Sequence, residues 1–286
     1  MRSYIRVLIS NYTVRQMARI VWTVGWSDFF LKYRGSVLGY LWSLLAPLAK
    51  FLVIYYVFRP FVSDAIPYYS LYLFLGIIVW EHFTVTTTHC MSVLHEKAAF
   101  VQKLPFPRIL LIFIVGWTNL IIFLTHLIIF AVFVVVTGKG FPVQWVFVPL
   151  ILFHMTILAL GVGMILSAYC LKYRDIPHLW SIATQVLFWL TPITYAYRLE
   201  VPLLATIRRM PEMIRGPALH NLFDVFVQFQ PLSLVMYDLR RITLYPKELG
   251  TPSLEHLLGM TVVFLAIFCI GAVIFKKRSR HFVQEY

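Results

Sequence analysis

Six long apolar stretches, separated by short polar segments, constrain this chain more than any other feature of its sequence. Each stretch has at least about 20 residues, which is the length that an α-helix needs to cross a hydrocarbon core of about 30 Å. Charged residues make up 13% of the chain, whereas soluble domains carry about 25%. The sequence therefore predicts an all-α polytopic membrane protein with six transmembrane helices, at about 38–61, 67–92, 108–136, 142–171, 177–197 and 254–275.

The distribution of charge predicts the orientation of these spans. The net charge is +13, and most lysines and arginines fall in the termini and in the loops that follow the second and fourth spans. Six spans put these segments on one side of the membrane, and the positive-inside rule makes that side cytoplasmic. The basic charge is thus an orientation signal for a multi-pass protein with both termini in the cytoplasm, and no nucleic-acid partner is expected. The three cysteines lack metal-ligand spacing, and no metal site is predicted.

The N-terminal segment, residues 1–34, is too polar to span the membrane. Between Met17 and Leu31 its apolar residues share one face, and Arg15 and Arg19 lie off that face. This pattern predicts an amphipathic helix in the cytoplasmic interface and an elbow within residues 1–34, followed by a transmembrane domain, residues 35–286. A surface anchor without a protein partner is the alternative interpretation.

The loop at 93–107 begins with a helix-permitting, amphipathic sequence and ends with Pro105 and Pro107. The residue before a proline avoids the helical region, so the loop is expected to leave in an extended conformation. The sequence predicts a short, rigid cytoplasmic prong. A membrane protein driven by a soluble motor protein needs such a segment to transmit the motor's conformational change.

The fifth span carries a stripe of polar and aromatic residues at three- and four-residue steps, whereas Ile182, Val186, Trp189 and Ile193 occupy the opposite face. Such a stripe is unfavourable against lipid and is expected to face protein or water. Two interpretations stay open: helix packing through hydrogen bonds, or the wall of a passage for sugars. The stripe consists of Ser181, Thr184, Gln185, Phe188, Thr191, Pro192 and Tyr195.

Two opposite charges lie at comparable depth on antiparallel spans, Lys50 on the first and Glu81 on the second. A carboxylate in a span costs about 2.5–3.5 kcal/mol on insertion scales, and an ion pair would offset much of that cost. The sequence predicts a buried ion pair, with structural pairing and a role in transport as the two interpretations. In the fourth span, Gly161 and Gly163 predict close approach of a neighbouring helix.

The segment 198–253 is rich in proline and holds two semi-apolar pieces, 218–229 and 232–244, that are too short to span. Such pieces suit short re-entrant helices on the outer side, covered by protein or lining a cavity. The chain also lacks a G-x-x-x-x-G-K-[ST] loop for nucleotide phosphates. If ATP drives this protein, another subunit hydrolyses it.

Four motifs occur in order along the chain. They are Tyr33-Arg34-Gly35-Ser36-Val37-Leu38-Gly39-Tyr40 within residues 32–47; Lys103-Leu104-Pro105-Phe106-Pro107-Arg108; Tyr173-Arg174-Asp175-Ile176-Pro177 followed by Leu190-Thr191-Pro192-Ile193-Thr194-Tyr195; and Gln230-Pro231-Leu232 followed by Tyr237-Asp238-Leu239-Arg240. Together they resemble the signatures of permease subunits of type 2 ABC exporters for lipid-linked polysaccharides such as O-antigen, capsule and wall teichoic acid. Thr191 stands where those permeases usually have serine, and Gln230 where they have asparagine.

The resemblance implies a six-span homodimeric permease in the bacterial cytoplasmic membrane that binds two copies of a cytoplasmic ABC ATPase. That ATPase would hold ATP and Mg²⁺; this chain would bind no cofactor and would not be an enzyme. The ATPase would dock on the N-terminal helix and the prong, with Arg19, Glu96, Lys97, Phe100 and Lys103 as coupling residues. The first and fifth spans would line the channel for the lipid-linked glycan, and 198–253 would form the outer gate. The expected channel residues are Tyr40, Ser43, Ser181, Thr184, Gln185, Phe188, Thr191 and Tyr195.

Two other classes remain as alternatives. A polytopic membrane enzyme of glycan or lipid modification would need clustered acids or histidines, whereas the outer acids are dispersed. An ABC permease for a small hydrophobic compound would favour a smoother apolar wall than the fifth span offers.

Overall fold

The computed structural model describes residues 13–36, 39–62, 65–97, 107–195 and 226–279. The described residues form an all-α structure, as the sequence predicts. A 3₁₀ turn at Val143–Phe147 leads directly into α5. The helices are α1 Val14–Tyr33, α2 Leu41–Val62, α3 Tyr69–Glu96, α4 Ile109–Val136, α5 Val148–Cys170, α6 Ile176–Leu190, α7 Pro231–Thr243, α8 Pro246–Leu249 and α9 Leu254–Ser279.

Five of these segments are long and apolar enough to cross a membrane: α2, α3, α4, the 3₁₀ turn with α5, and α9. They coincide with five of the six predicted spans. The predicted fifth span contains α6, which has 15 residues and is about 22 Å long at about 1.5 Å per residue. Because Thr191 precedes Pro192, its backbone turns extended, with ψ at 137°, and the helix ends there. The sixth crossing therefore stays a prediction.

Helix α3 is the centre of the fold, since every residue from Leu71 to Trp80 is buried. It packs against α4 and α5, and α9 packs along the other side of α5. The predicted close approach at Gly161 is confirmed, because a Cβ added at Gly271 of α9 would lie 2.4 Å from the Gly161 carbonyl oxygen. Gly163 likewise faces Cys90 of α3, whose Sγ would lie 2.8 Å from an added Cβ.

Helices α2 and α6 are attached more loosely to this centre. Helix α2 packs chiefly against α3, and α6 packs against α3 and α5. Within α6 only Phe188 is buried. The two loosely attached helices therefore flank an open space beside α3.

Helix α7 confirms that the predicted piece 232–244 is helical. It is amphipathic and mostly buried, against α3 and α5. Most of the other predicted piece, 218–229, lies outside the described residues.

Candidate functional site

An open groove of about 580 Å³ lies between α2, α3 and α6. Two charged side chains, three uncharged polar side chains and several rings face it. Its lining is formed by Lys50, Val53, Ile54, Val57, Phe58, Trp80, Glu81, Thr84, Thr184, Gln185, Phe188 and Trp189. Mixed polar and aromatic lining of this kind can stack on a ring and exchange hydrogen bonds with hydroxyl groups.

Local sequence explains how α6 forms one wall of this groove. Pro177 occupies the first turn of α6, where a missing N–H costs nothing, and Pro192 ends it. Near the start of the helix, Trp180 Nε1 donates a hydrogen bond of 3.1 Å to Thr87 Oγ1 of α3. Near its end, the Phe188 ring packs 5.6 Å from the Trp80 ring, measured between centroids. The helix is thus held at both ends, and its middle turns face the groove.

The predicted stripe of α6 divides into two parts. Ser181 and Gln185 are exposed and Thr184 is half-buried, with Thr184 and Gln185 in the groove lining. Phe188 is 7% exposed and Thr191 is fully buried, so both pack against protein although the Phe188 ring also borders the groove. Thr184 and Gln185 therefore have the position expected of a passage wall. Phe188 and Thr191 pack against protein, as expected if the stripe serves helix packing.

Trp189 is a groove residue that the sequence interpretation missed. It was assigned to the opposite face, yet it is 55% exposed and lines the groove. Its ring centroid lies 6.0 Å from that of Phe58 on α2. The spacing of four residues from Gln185 is the signal that could have found it, because i and i+4 share a helical face.

Lys50 and Glu81 both line the groove, but no direct ion pair joins them in the described part of the chain. The Lys50 Nζ instead lies 4.2 Å from the centroid of the Phe188 ring. A cation over an aromatic face gains about 0.5–2 kcal/mol, which provides an alternative partner for the ammonium. Burial lowers the pKa of Lys32 on α1, and the charge of Glu81 offsets part of that shift.

Tyr40 and Ser43 lie at the elbow and not in the groove lining. The Tyr40 ring packs edge-to-face on Tyr33, with centroids 5.2 Å apart. Ser43 Oγ donates to the Tyr40 carbonyl at 2.7 Å, and the Ser43 carbonyl oxygen lies 3.0 Å from His126 Nε2 of α4. Partial burial raises the pKa of Tyr40. These two expected channel residues therefore brace the turn from α1 into α2.

The predicted interface helix, α1, packs on α4 of the same chain. Gly25 lies against Trp117, and Thr118 Oγ1 donates to the Gly25 carbonyl at 3.1 Å. Lys97, at the end of α3, forms an ion pair with Asp28 of α1. Of the other expected coupling residues, Arg19 and Glu96 are exposed, and Phe100 and Lys103 lie outside the described residues.

Beyond the end of α6, polar contacts join its terminus to α7 and α3. The sequence predicts that this set lies on the outer side, so we call it the outer latch and define it as Tyr72, Thr191, Pro192, Ile193, Gln230 and Arg240. Gln230 Nε2 donates to Thr191 Oγ1 at 2.8 Å. The Arg240 guanidinium donates to the carbonyls of Pro192, Ile193 and Tyr72. Two of the sequence motifs, the one around Thr191-Pro192 and the one from Gln230 to Arg240, therefore meet in space.

Comparisons with known proteins find a matching family model and similar proteins. The family model described as ABC-2 type transporter matches residues 19–210. The chain is 26% identical over 262 residues to the O-antigen export system permease protein RfbA of Klebsiella pneumoniae. This match covers 90% of this chain and 91% of that protein. It is 24% identical over 254 residues to the protein of the same name from Myxococcus xanthus, with 89% and 90% covered. The family match includes α2 to α6, and therefore the whole groove.

Proposed function

Because this chain belongs to the ABC-2 type transporter family, we propose that it is the membrane subunit of an ATP-driven exporter for a lipid-linked polysaccharide. O-antigen is the substrate class we favour, because relatives covering about nine-tenths of the chain are named as its export permeases. The subunit would act in the bacterial cytoplasmic membrane with both termini inside. A second copy of itself and two copies of a cytoplasmic ABC ATPase would complete the exporter.

The observation that carries this proposal is the chemistry of the groove. Its amide, hydroxyl, carboxylate and ammonium groups can exchange hydrogen bonds with sugar hydroxyls. The exposed indole of Trp189 offers a flat apolar face for a pyranose ring. A small hydrophobic cargo would leave Lys50 and Glu81 desolvated without compensation, which disfavours it.

Export is tested by complementation. A cell that lacks its own O-antigen permease receives this chain together with the ATPase encoded for it, and surface polysaccharide is quantified by immunoblot. We expect export, and we expect none when the ATPase carries a substitution in its phosphate-binding loop. Correct membrane insertion and ATPase binding without surface polysaccharide would contradict the substrate assignment.

Coupling is proposed to run through α1 and the end of α3, which the Asp28–Lys97 ion pair joins. Purified permease alone is expected to hydrolyse no ATP, and the complex with its ATPase is expected to do so. Charge reversal at Glu96, which is exposed, should lower export per ATP hydrolysed if the ATPase binds there. Normal export by the Glu96→Lys complex would remove Glu96 from the coupling surface.

A further inference from the structure

The outer latch contains an arginine whose surroundings are unusual for a charged side chain. Arg240 is 4% exposed. Its Nη2 donates to the Tyr72 carbonyl at 3.1 Å and to the Ile193 carbonyl at 3.2 Å, and its Nη1 donates to the Pro192 carbonyl. The Tyr72 ring covers the guanidinium, with 3.4 Å between Cζ and the ring centroid. One side chain therefore joins α7, the end of α6 and α3.

No carboxylate is paired with Arg240 in the described ranges, where Asp238 on the same helix pairs with His256 instead. The charge is held by carbonyl dipoles and by a ring. The Pro192 and Ile193 carbonyls follow the last turn of α6 and have no partner within that helix. The guanidinium donates to both, and the Tyr72 hydroxyl also donates to the Pro192 carbonyl, at 3.3 Å. Separating α6 from α7 would take two of its three carbonyl partners from a buried charge and would take the guanidinium from the Ile193 carbonyl, which is strongly unfavourable.

Helix α3 provides the space for this side chain. A Cβ added at Gly76 would lie 2.5 Å from Arg240 Nη2. Glycine is unfavourable in the interior of a helix, and at this position it lets the guanidinium reach the Tyr72 carbonyl. The Arg240 side chain thus explains why a glycine occupies this position inside helix α3.

A second connection supports the same joint. Besides its bond to Thr191, Gln230 accepts a hydrogen bond of 2.8 Å from Ser233 Oγ in the first turn of α7. The start of α7 is therefore fixed to the end of α6 independently of Arg240. The two contacts flank the break at Pro192, where an unsupported chain could pivot.

We propose that Arg240 is a positioning residue that makes outer helix α7 move together with the end of α6 during transport. This inference rests on the proposed export function. Helix α6 forms a wall of the groove, so a displacement of that wall reaches α7 through the latch and not through the bend at Pro192. The planar fork of arginine suits this task, because it donates in several directions at once.

The test follows the joint itself in the permease–ATPase complex in lipid nanodiscs. Spin labels are placed at Ile182 on α6 and Lys247 on α8, both exposed, with the exposed Cys269 replaced by serine. The label on α8 reports the position of α7, because Arg241 of α7 donates to the Leu249 carbonyl at the end of α8 at 2.8 Å. The labelled chain is diluted with unlabelled chain. We expect the same distance distribution in the nucleotide-free and the ATP-trapped complex, and a broadened distribution in Arg240→Met. A wild-type distance that shifts with nucleotide would overturn the proposal, because α6 and α7 would then move separately.

Transport gives the second measurement, as polysaccharide exported per ATP hydrolysed. Arg240→Met is expected to lower this ratio about tenfold or more, the factor that corresponds to losing a hydrogen bond to a charged group. Gly76→Ala should lower it as well, because the added methyl displaces the guanidinium, and Arg240→Lys should recover part of it. Leu239→Ala, at a fully buried position on the same helix, is the control that loses packing and keeps the latch.

The variants separate positioning from mere stability. If Arg240→Met fails to assemble with the ATPase, the ratio of export to ATP hydrolysis in Gly76→Ala and Arg240→Lys still tests the proposal. Coupling ratios in these variants equal to wild type, or a loss in Leu239→Ala as large as theirs, would overturn the proposal. The distance measurement needs no polysaccharide. If the distance distribution stays the same with nucleotide but the complex exports no polysaccharide, the substrate assignment is wrong and the proposal for Arg240 stands.

Discussion

The helices of this protein fall into two groups that differ in how firmly they are held. We call α3, α5 and α9 the frame and α2 and α6 the wall, and we place α7, which the latch joins to both α3 and the end of α6, outside the two groups. In the frame, α3 buries ten consecutive residues, from Leu71 to Trp80. In the wall, α6 buries Phe188 alone, and α2 exposes large side chains such as Tyr56 at 69% and Phe61 at 82%.

The difference suggests that the helices that carry the polar and aromatic groove side chains are not the helices that hold the fold rigid. Thr184, Gln185 and Trp189 of the groove belong to the wall, whose few buried contacts make displacement inexpensive. The frame, by contrast, brings backbones into contact at Gly161 and Gly271 and resists movement. We expect lipid, or the second copy that we propose, to cover the exposed face of α2. The latch is where the two groups meet.

The largest expected effect breaks the frame at its closest backbone contact. In Gly271→Val the new Cβ would lie 2.4 Å from the Gly161 carbonyl oxygen, and backbone cannot move aside as a side chain can. We expect loss of the monodisperse peak of folded protein in fluorescence-detected size exclusion. Gly140→Ala, where an added Cβ meets nothing within 4 Å, is the matched control. A folded Gly271→Val protein would show that α5 and α9 are not rigidly joined.

The next prediction compares the same substitution in the two groups. Leu73→Ala in the frame removes a fully buried side chain, and we expect it to lower the free energy of unfolding by about 2–5 kcal/mol. Leu52→Ala in the wall, at 48% exposure, should change it by less than about 0.5 kcal/mol. Denaturation of the purified permease in one detergent measures both. Equal losses would mean that α2 is part of the frame.

A smaller effect is expected from the wall chemistry. Trp189→Ala should reduce polysaccharide export while leaving stability nearly unchanged, because this ring borders open space on one side. Each stacked ring contributes about 0.5–1.5 kcal/mol, which corresponds to a rate loss of about two- to twelvefold. Trp42→Ala, similarly exposed at 58% and outside the groove lining, is the control in the same export assay. Indistinguishable export by the two variants would remove Trp189 from the passage.

The smallest effect concerns the Asp28–Lys97 ion pair that ties α1 to the end of α3. The two side chains are 30% and 26% exposed, and pairs of this kind contribute about 0.2–1 kcal/mol. Lys97→Asp should therefore barely alter thermal stability, yet it should lower export per ATP hydrolysed if the pair transmits force. The double change Asp28→Lys with Lys97→Asp should restore the ratio. A double variant as poor as the single one would show that Lys97 acts through another partner.

The sequence by itself determined which segments are apolar helices. The prediction of 108–136 and the observed Ile109–Val136 differ by one residue at the start, because hydropathy and helix length are properties of a continuous stretch. The end of α6 was less predictable. Thr191-Pro192 falls inside an apolar run. The proline ends the helix and so shortens it, but it leaves the hydropathy of the run unchanged, and hydropathy was the basis of the predicted span.

The tertiary structure decided which side chains share a site. The four-residue spacing puts Trp189 on one face of α6 with Gln185, but periodicity within one helix does not say which face borders the groove. That depends on how α2 and α6 are rotated beside α3, and the same rotation brings Lys50 over Phe188. Arg240 finds its carbonyl partners 47, 48 and 168 residues away in the chain. A local pattern records that a residue is polar, whereas its partner across the fold is set by packing. Five of the spans could therefore be predicted from the sequence, whereas the contacts of the latch depend on how the helices pack.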